Sequence, residues 1–515
     1  MKKKMLLTVA LAMLLALPLS SVFAYEALVG PTGVLQYDST KAYNGYTLFS
    51  SNAGGCTNAY LIDMEGYIVH TWETDYVAGL HDILLENGHL LRGANLTGTP
   101  RMQQPYNIGG GHSGLVQEFD WDGNVVWEYE LNTPTSVQHH TFTRHPTNGN
   151  TLILAWEYKS YDEAVAAGRD PATVNTVQGI WPDMVIEVNQ AKEVVWEYHV
   201  WDHLGTGPME YDINWINPGS DRVASQTKDW THWNTANYHP TEDQIITNSR
   251  HFGESYVIDR ATGDMLYRWG NPSAYGAGVA PSFMKDGDQK LFGPHHAHVI
   301  DQGLPGAGHL LILDNGWNRP AGNRTRSVEV DMTTGDIVWQ YASGTTNSLY
   351  SASQCSNQRL PNGNTLITST VNGHILEVDY GDTTGINAGS GSGAKVAPTV
   401  VWEFINPITA VGTVATGYTY PLVNCVWYDR TPNSIHRSTR YGPDFPGLAG
   451  KDLSRKGLLA EGCPEFWKML DVEKGWVAGE APQPAPITGW GIPPAVSAEG
   501  GGAAGAGAGG AGGGY

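Results

Sequence analysis

Eighteen histidines are spread over the 515 residues, and many of them stand at one recurring position. His81, His139-His140, His232, His295-His296-Ala297-His298 and His436 each open a short β-rich run. A random scatter would not favour one position of a repeating unit. Imidazole titrates near neutral pH and serves as nucleophile, general acid or base, or metal ligand. Taken singly, each of these histidines is explained as well by hydrogen bonds to water and neighbouring carbonyls; their convergence is what argues for chemistry. A second polar position recurs where a strand leads into a Trp-containing hairpin. It holds Gly111-His112-Ser113-Gly114, Pro182-Asp183-Met184, Gly253-Glu254-Ser255, Thr325-Arg326-Ser327 and Gly373-His374-Ile375 in turn. A guanidinium (Arg326) and an imidazole (His374) at equivalent places, facing His232 and His296, suit a compact oxyanion.

Elements of regular period must bring these residues together. Six segments carry an acidic or polar turn followed by a β-branched, Trp-centred strand, ending at Trp72, at Trp127-Glu128-Tyr129, Trp196-Glu197-Tyr198, Arg268-Trp269, Trp339-Gln340-Tyr341 and Trp402-Glu403-Phe404. Before most of them stands a second hairpin signal, with turns at Asn87-Gly88, Asn148-Gly149, Pro240 to Gln244, Gly306-Ala307-Gly308 and Asn362-Gly363. Together they make a four-stranded unit repeated radially, which predicts an all-β, six-bladed β-propeller. The first Trp hairpin has no inner hairpin before it, and the last inner segment, Leu422 to Tyr441, has no Trp hairpin after it. Joined, the two halves close the ring with strands from both chain ends and remove an exposed edge. The innermost strands then line one channel, into which the histidines point.

The remaining features set bounds. Thirty Lys and Arg against 51 Asp and Glu give a net charge of −21, which disfavours nucleic acid as a partner. Lys2 to Lys4, an apolar run from Met5 to Leu17 and the small ending Val22-Phe23-Ala24 read as a secretory signal peptide, 1–24, cleaved after Ala24. The expectations are a periplasmic or secreted protein, no membrane anchor, and a mature charge of −24 once those three lysines are removed. The propeller domain is assigned to 25–478, and 479–515, Pro-rich and then Gly/Ala-rich, to a disordered tail. Four cysteines allow three pairings; Cys355 with Cys425 is favoured by their corresponding places in successive blades, with Cys56 and Cys463 near the closure.

The Trp hairpins, Asp229-Trp230-Thr231-His232-Trp233-Asn234-Thr235, the stretch Pro294 to Gly316 with Leu313-Asp314-Asn315-Gly316, and Arg326-Ser327-Val328-Glu329 resemble the bacterial aryl-sulfate sulfotransferases over about Gly45 to Leu453. That family consists of periplasmic six-bladed propellers that move a sulfuryl group between phenols without phosphoadenosine phosphosulfate. The resemblance implies a ping-pong sulfotransferase acting on a small-molecule phenolic sulfate donor and a phenol acceptor, with no cofactor and no metal. It implies His374 as the nucleophile, His232 as acid and base, Arg326 and His296 (or His295) at the sulfuryl oxygens, and His298 and Asn315 as further substrate contacts. Two departures stand out: His298 replaces the family's Asn, and only about 20 residues separate Ala24 from the first β-run, where well-studied members carry a β-sandwich domain. A non-catalytic binding propeller and a metal- or quinone-binding propeller are the alternative readings, and the oligomeric state stays open.

Overall fold

The computed structural model describes residues 32–51, 56–103, 108–217, 228–342, 349–381, 398–409, 412–413 and 433–459. Within them the chain builds six antiparallel sheets in a ring, a six-bladed β-propeller. Blade 1 runs outward through Ala78–Leu84, Leu90–Asn95, Gly114–Phe119 and Val125–Glu130. Blades 2, 3 and 4 repeat the order from inner strands Ser136–Arg144, Trp233–Tyr238 and His295–Val299, and blade 5 from Ser356–Arg359. Blade 6 is assembled from both parts of the chain. Its inner strand Ile435–Tyr441 pairs with Tyr46–Ser51, which leads on to Ala59–Ile62 and Ile68–Trp72. The closure foreseen from the two leftover halves is therefore the one observed. A feature that the repeat did not announce is Gly33–Tyr37, which adds a fifth, outermost strand to blade 5, with Tyr37 opposite Trp402.

The repeated tryptophan has a specific task. In every blade its indole N–H donates to a backbone carbonyl of the next blade: Trp72 to Asp120 (3.1 Å), Trp127 to Gln190 (3.3 Å), Trp196 to Arg260 (2.7 Å), Trp269 to Gly335 (2.9 Å), Trp339 to Tyr380 (2.8 Å) and Trp402 to Met64 (2.8 Å). Six identical latches thus run once round the ring. A buried glutamate on the third strand adds a second tie at four interfaces, through Glu118–Arg144 (2.6 Å), Glu187–Arg260 (2.7 Å), Glu329–Arg359 (2.6 Å) and Glu377–Arg440 (3.1 Å). Each arginine also lies over the indole of the preceding blade, at 4.4 to 5.8 Å from the ring centre. Apolar side chains such as Leu152, Val185, Ile245 and Tyr256 fill the spaces between blades, so the polar inner strands are held by dry walls.

No helix among the described residues is long and apolar enough to cross a membrane. The expected signal peptide and C-terminal tail, Cys425 and Cys463 lie outside the described residues, so both expected disulfide pairings fall outside them too. Cys56 and Cys355 are buried.

Candidate functional site in the channel

Each inner strand starts with an irregularity that aims a side chain at the axis. The backbone is left-handed at Leu80, His140, His232, His296, Gln354 and Cys355 (φ between 47° and 82°), the same place in blades 1 to 5. Pairing with the second strand slips a register beside these residues in blades 1 to 4, and beside His436 and Arg437 in blade 6. A bulge of this kind turns one residue out of the pleat. Left-handed non-glycine residues cost about 1–3 kcal/mol each and gather at functional sites.

Four of these bulges, in blades 2, 3, 4 and 6, bring imidazoles together. His140 lies edge-on to His232 at 4.9 Å between ring centres, and 6.3 Å from both His295 and His436. His251, from the turn after the second strand of blade 3, stands 4.9 Å from His232. His139 stacks on Trp156 at 3.8 Å. Burial holds His139, His140, His295 and His296 well below the usual histidine range, neighbouring imidazoles and arginines adding to the effect, and brings His298 to about 4. At neutral pH these five imidazoles are therefore uncharged.

Hydrogen bonds fix several tautomers. His232 Nδ1 meets the Asp229 carboxylate in a very short contact, so Nδ1 carries the hydrogen and Nε2 the lone pair. His295 Nδ1 points at Asn315 Oδ1 (2.7 Å) while its Nε2 accepts from the Gln354 N–H (3.0 Å). His296 Nδ1 accepts from the Asn357 N–H at 3.1 Å, which puts its hydrogen on Nε2. His140 Nδ1 is 2.8 Å from His139 Nδ1, and His139 Nε2 is 3.0 Å from Asp183 Oδ1. Burial, with Asp229 close by, raises the Asp183 carboxyl well above its usual range. Asp183, His139 and His140 thus stand in a line, the two imidazoles in hydrogen-bond contact and Asp183 Oδ1 close to His139 Nε2 without the alignment of a hydrogen bond.

One cation sits among these groups. Arg437, on the inner strand of blade 6, donates to Thr141 Oγ1 (3.3 Å) and to the Asn234 carbonyl (3.1 Å). It forms no ion pair among the described residues, and burial lowers its guanidinium to about 9. It acts on His81, His296 and His298. Arg250 approaches from blade 3, with its guanidinium 4.7 Å over the Trp317 ring, and acts on His295 and His251.

The residues singled out in the sequence divide into two groups. His232, His295, His296 and His298 belong to the channel, and Asn315 supports it by holding His295 and the Ser351 and Gln354 carbonyls (2.9 and 3.1 Å). Arg326 and His374 stand on third strands, two inter-strand spacings, roughly 10 Å, from the inner ones. Each is engaged on its own blade. Arg326 gives Nε to Asp314 (2.9 Å) and Nη1 to Gln340 (3.0 Å), and His374 Nε2 lies 2.8 Å from Glu403. Among the described residues His374 makes no ring contact with the cluster. The equivalent third-strand residue in blade 2, Asp183, does reach in. Sequence reasoning missed Arg437, Arg250, Asp229 and His251, and gave His140 no role. The signals were adjacency: Arg437 follows His436, and Asp229 stands three residues before His232.

The arylsulfotransferase (ASST) family model matches residues 33–393. No curated protein matches. Among solved structures, a protein of unknown function from Bacteroides caccae is 13% identical over 65% of this chain and 90% of its own, with a TM-score of 0.38. A streptogramin B lyase is 11% identical over 81% of this chain and 96% of its own, with a TM-score of 0.37. Likenesses this distant carry no argument, and the fold rests on the blade topology.

Proposed function

The chain belongs to the arylsulfotransferase family, and from that premise we propose that it moves a sulfuryl group from a phenolic sulfate ester to an acceptor phenol through a sulfated channel histidine. The family makes it a sulfotransferase with small-molecule donor and acceptor. The observation that supports the finer reading is Arg437, a buried cation that acts on the uncharged imidazoles of His81, His296 and His298 and has no carboxylate ion-paired to it among the described residues. An anionic ester entering this channel gains a counter-charge that the protein has left unneutralised.

His232 is the best-prepared nucleophile, because Asp229 holds its Nδ1–H and directs the Nε2 lone pair outward. In the first displacement Nε2 attacks sulfur, the S–O(aryl) bond breaks with its electron pair on the phenolate, and the phenolate takes a proton from His140. A small rotation of the Asp183 carboxyl, whose Oδ1 is 3.0 Å from His139 Nε2, lets its proton replenish that of His140 through His139. In the second, the acceptor phenol returns its proton to His140 and its oxygen attacks sulfur, so that the N–S bond breaks and the lone pair returns to His232. Arg437, Arg250 and the Nε2–H of His296 hold the sulfuryl oxygens, each worth a few kcal/mol in a comparable oxyanion site. A loose transition state leaves positioning and charge stabilisation as the main tasks of the protein.

The resemblance assigns the nucleophile to His374, and kinetics with 4-nitrophenyl sulfate separate the two assignments. His232→Ala is expected to lose at least about 10³-fold in turnover and His374→Ala to stay near wild type. The reverse pattern would return the role to His374. Export through a leader cleaved after Ala24 belongs to the same proposal, supported by Lys2 to Lys4 and the apolar run behind them. Mature protein beginning at Tyr25 and recovered outside the cytoplasm is the expected result; a retained Met1 in the cytoplasm contradicts it.

A further inference from the structure

A carboxylate and two imidazoles meet at one buried point beside the channel. Asp229, His232 and His251 are all buried, and each offers a ligand atom within 4.8 Å of the other two. His251 Nδ1 lies 3.3 Å from the Trp230 carbonyl oxygen, which can only accept. Its hydrogen is therefore on Nδ1 and its lone pair on Nε2. A carbonyl behind the ring is the means by which proteins orient metal-ligating histidines. Asp229 Oδ1 is buried without a well-aligned hydrogen bond, although the Trp156 indole acts on the carboxylate. The backbone leaves space for this carboxylate, since a Cβ on Gly109 would collide with it.

We propose that Asp229, His232 and His251 form a site for a divalent transition-metal ion of zinc chemistry, and that the ion inhibits the transferase by occupying His232. Two nitrogens and one oxygen are a zinc-like set, whereas calcium and magnesium call for oxygens alone. Zinc bonds of roughly 2.0–2.2 Å set tetrahedral ligand atoms about 3.3 Å apart, so the ion takes the place of the hydrogen between His232 Nδ1 and Asp229. That contact opens, and the hydrogen moves to Nε2, where the lone pair needed for attack on sulfur is lost. Three protein ligands leave one position open to water or an anion. The binding stands on the ligand geometry alone. The inhibition rests on the assignment of His232 to sulfuryl transfer.

The test uses the full-length, chelator-treated protein. Zinc is titrated in competition with a chromophoric chelator, and turnover of 4-nitrophenyl sulfate is followed over the same zinc range. Wild type is expected to bind one zinc ion per chain and to lose turnover as the site fills. His251→Phe is expected to weaken zinc by more than ~100-fold, beyond the 10–100-fold that outer-shell changes cost. Whatever zinc-free turnover it retains should be zinc-insensitive. His251→Gln is the second variant, which removes the ligand without adding an apolar ring. Wild type that binds no zinc, or both variants binding it as wild type does, overturns the site. Zinc bound without loss of turnover, or turnover that requires zinc, overturns the inhibition. Zinc bound by wild type and not by the variants, with no form turning over any aryl sulfate, upholds the site and counts instead against the transferase reading.

Discussion

Replacing Arg437 with methionine is expected to make the protein more stable and nearly inactive. Burial alone moves the guanidinium from 12.5 to about 9. The unfolded chain keeps its proton up to 12.5 while the folded one releases it near 9, so the fold carries the whole penalty below about pH 9 and sheds it between there and 12.5. At pH 7 the gross cost is about 5 kcal/mol. The hydrogen bonds to Thr141 Oγ1 and the Asn234 carbonyl return about 3 kcal/mol between them. Methionine, of similar length, removes both terms and leaves a gain of about 2 kcal/mol, within the range found when buried ions give way to apolar side chains. Urea unfolding followed by tryptophan fluorescence, in sulfate-free buffer, measures it. Turnover of 4-nitrophenyl sulfate should fall about 10²- to 10³-fold, as when one oxyanion donor is removed. A variant that unfolds 2 kcal/mol more easily, or one that keeps wild-type turnover, refutes the reasoning that this cation is held at a cost for an anionic ligand.

Three further outcomes concern the frame and its pH range. Trp339→Phe keeps an aromatic ring, though a smaller one, and deletes the N–H that reaches the Tyr380 carbonyl, and should cost about 1–3 kcal/mol by urea unfolding with turnover retained. Arg359→Met leaves Glu329 buried with its main counter-charge gone and should cost about 3–5 kcal/mol in the same assay. Acid should destabilise the protein early. His70, His112 and His298 are brought by burial from 6.5 to about 4, so the unfolded chain takes protons first. Stability is then full above pH 6.5 and is lost as the pH falls toward 4. The raised carboxyls of Asp183 and Glu254 act in the opposite sense and offset part of this. A net loss on the order of 3 kcal/mol between pH 7 and 5 is expected, and an unfolding midpoint unchanged over that range would contradict it.

The frame was legible because its ties recur in sequence. Each Trp hairpin carries one inter-blade latch, and the Val-Glu and Leu-Glu pairs of the third strands carry the buried glutamates Glu329 and Glu377. The leftover halves at the two ends announced the closure by Tyr46–Ser51 and Ile435–Tyr441. Gly33–Tyr37 was not legible, since five residues added to an outer edge repeat nothing. The site was legible only as a density of histidine. Which imidazoles touch depends on left-handed residues at His140, His232 and His296, a backbone state that no apolar period encodes. Arg326 and Arg437 show the limit most clearly. Both are arginines near strand starts, yet Asp314 neutralises the first, and the second stands on an inner strand where no carboxylate pairs with it among the described residues. Charge balance through space, which a linear reading does not contain, separates them.

The central claim is that a channel imidazole carries the sulfuryl group between donor and acceptor. Rapid mixing of the protein with 4-nitrophenyl sulfate and no acceptor, followed by alkaline quench and peptide mass analysis, tests it directly. The account predicts a burst of nitrophenolate equal to the protein concentration and one added SO3 on the peptide containing His232, discharged when phenol is supplied. Nitrophenolate released without a burst, from protein that never carries the added group, would contradict it.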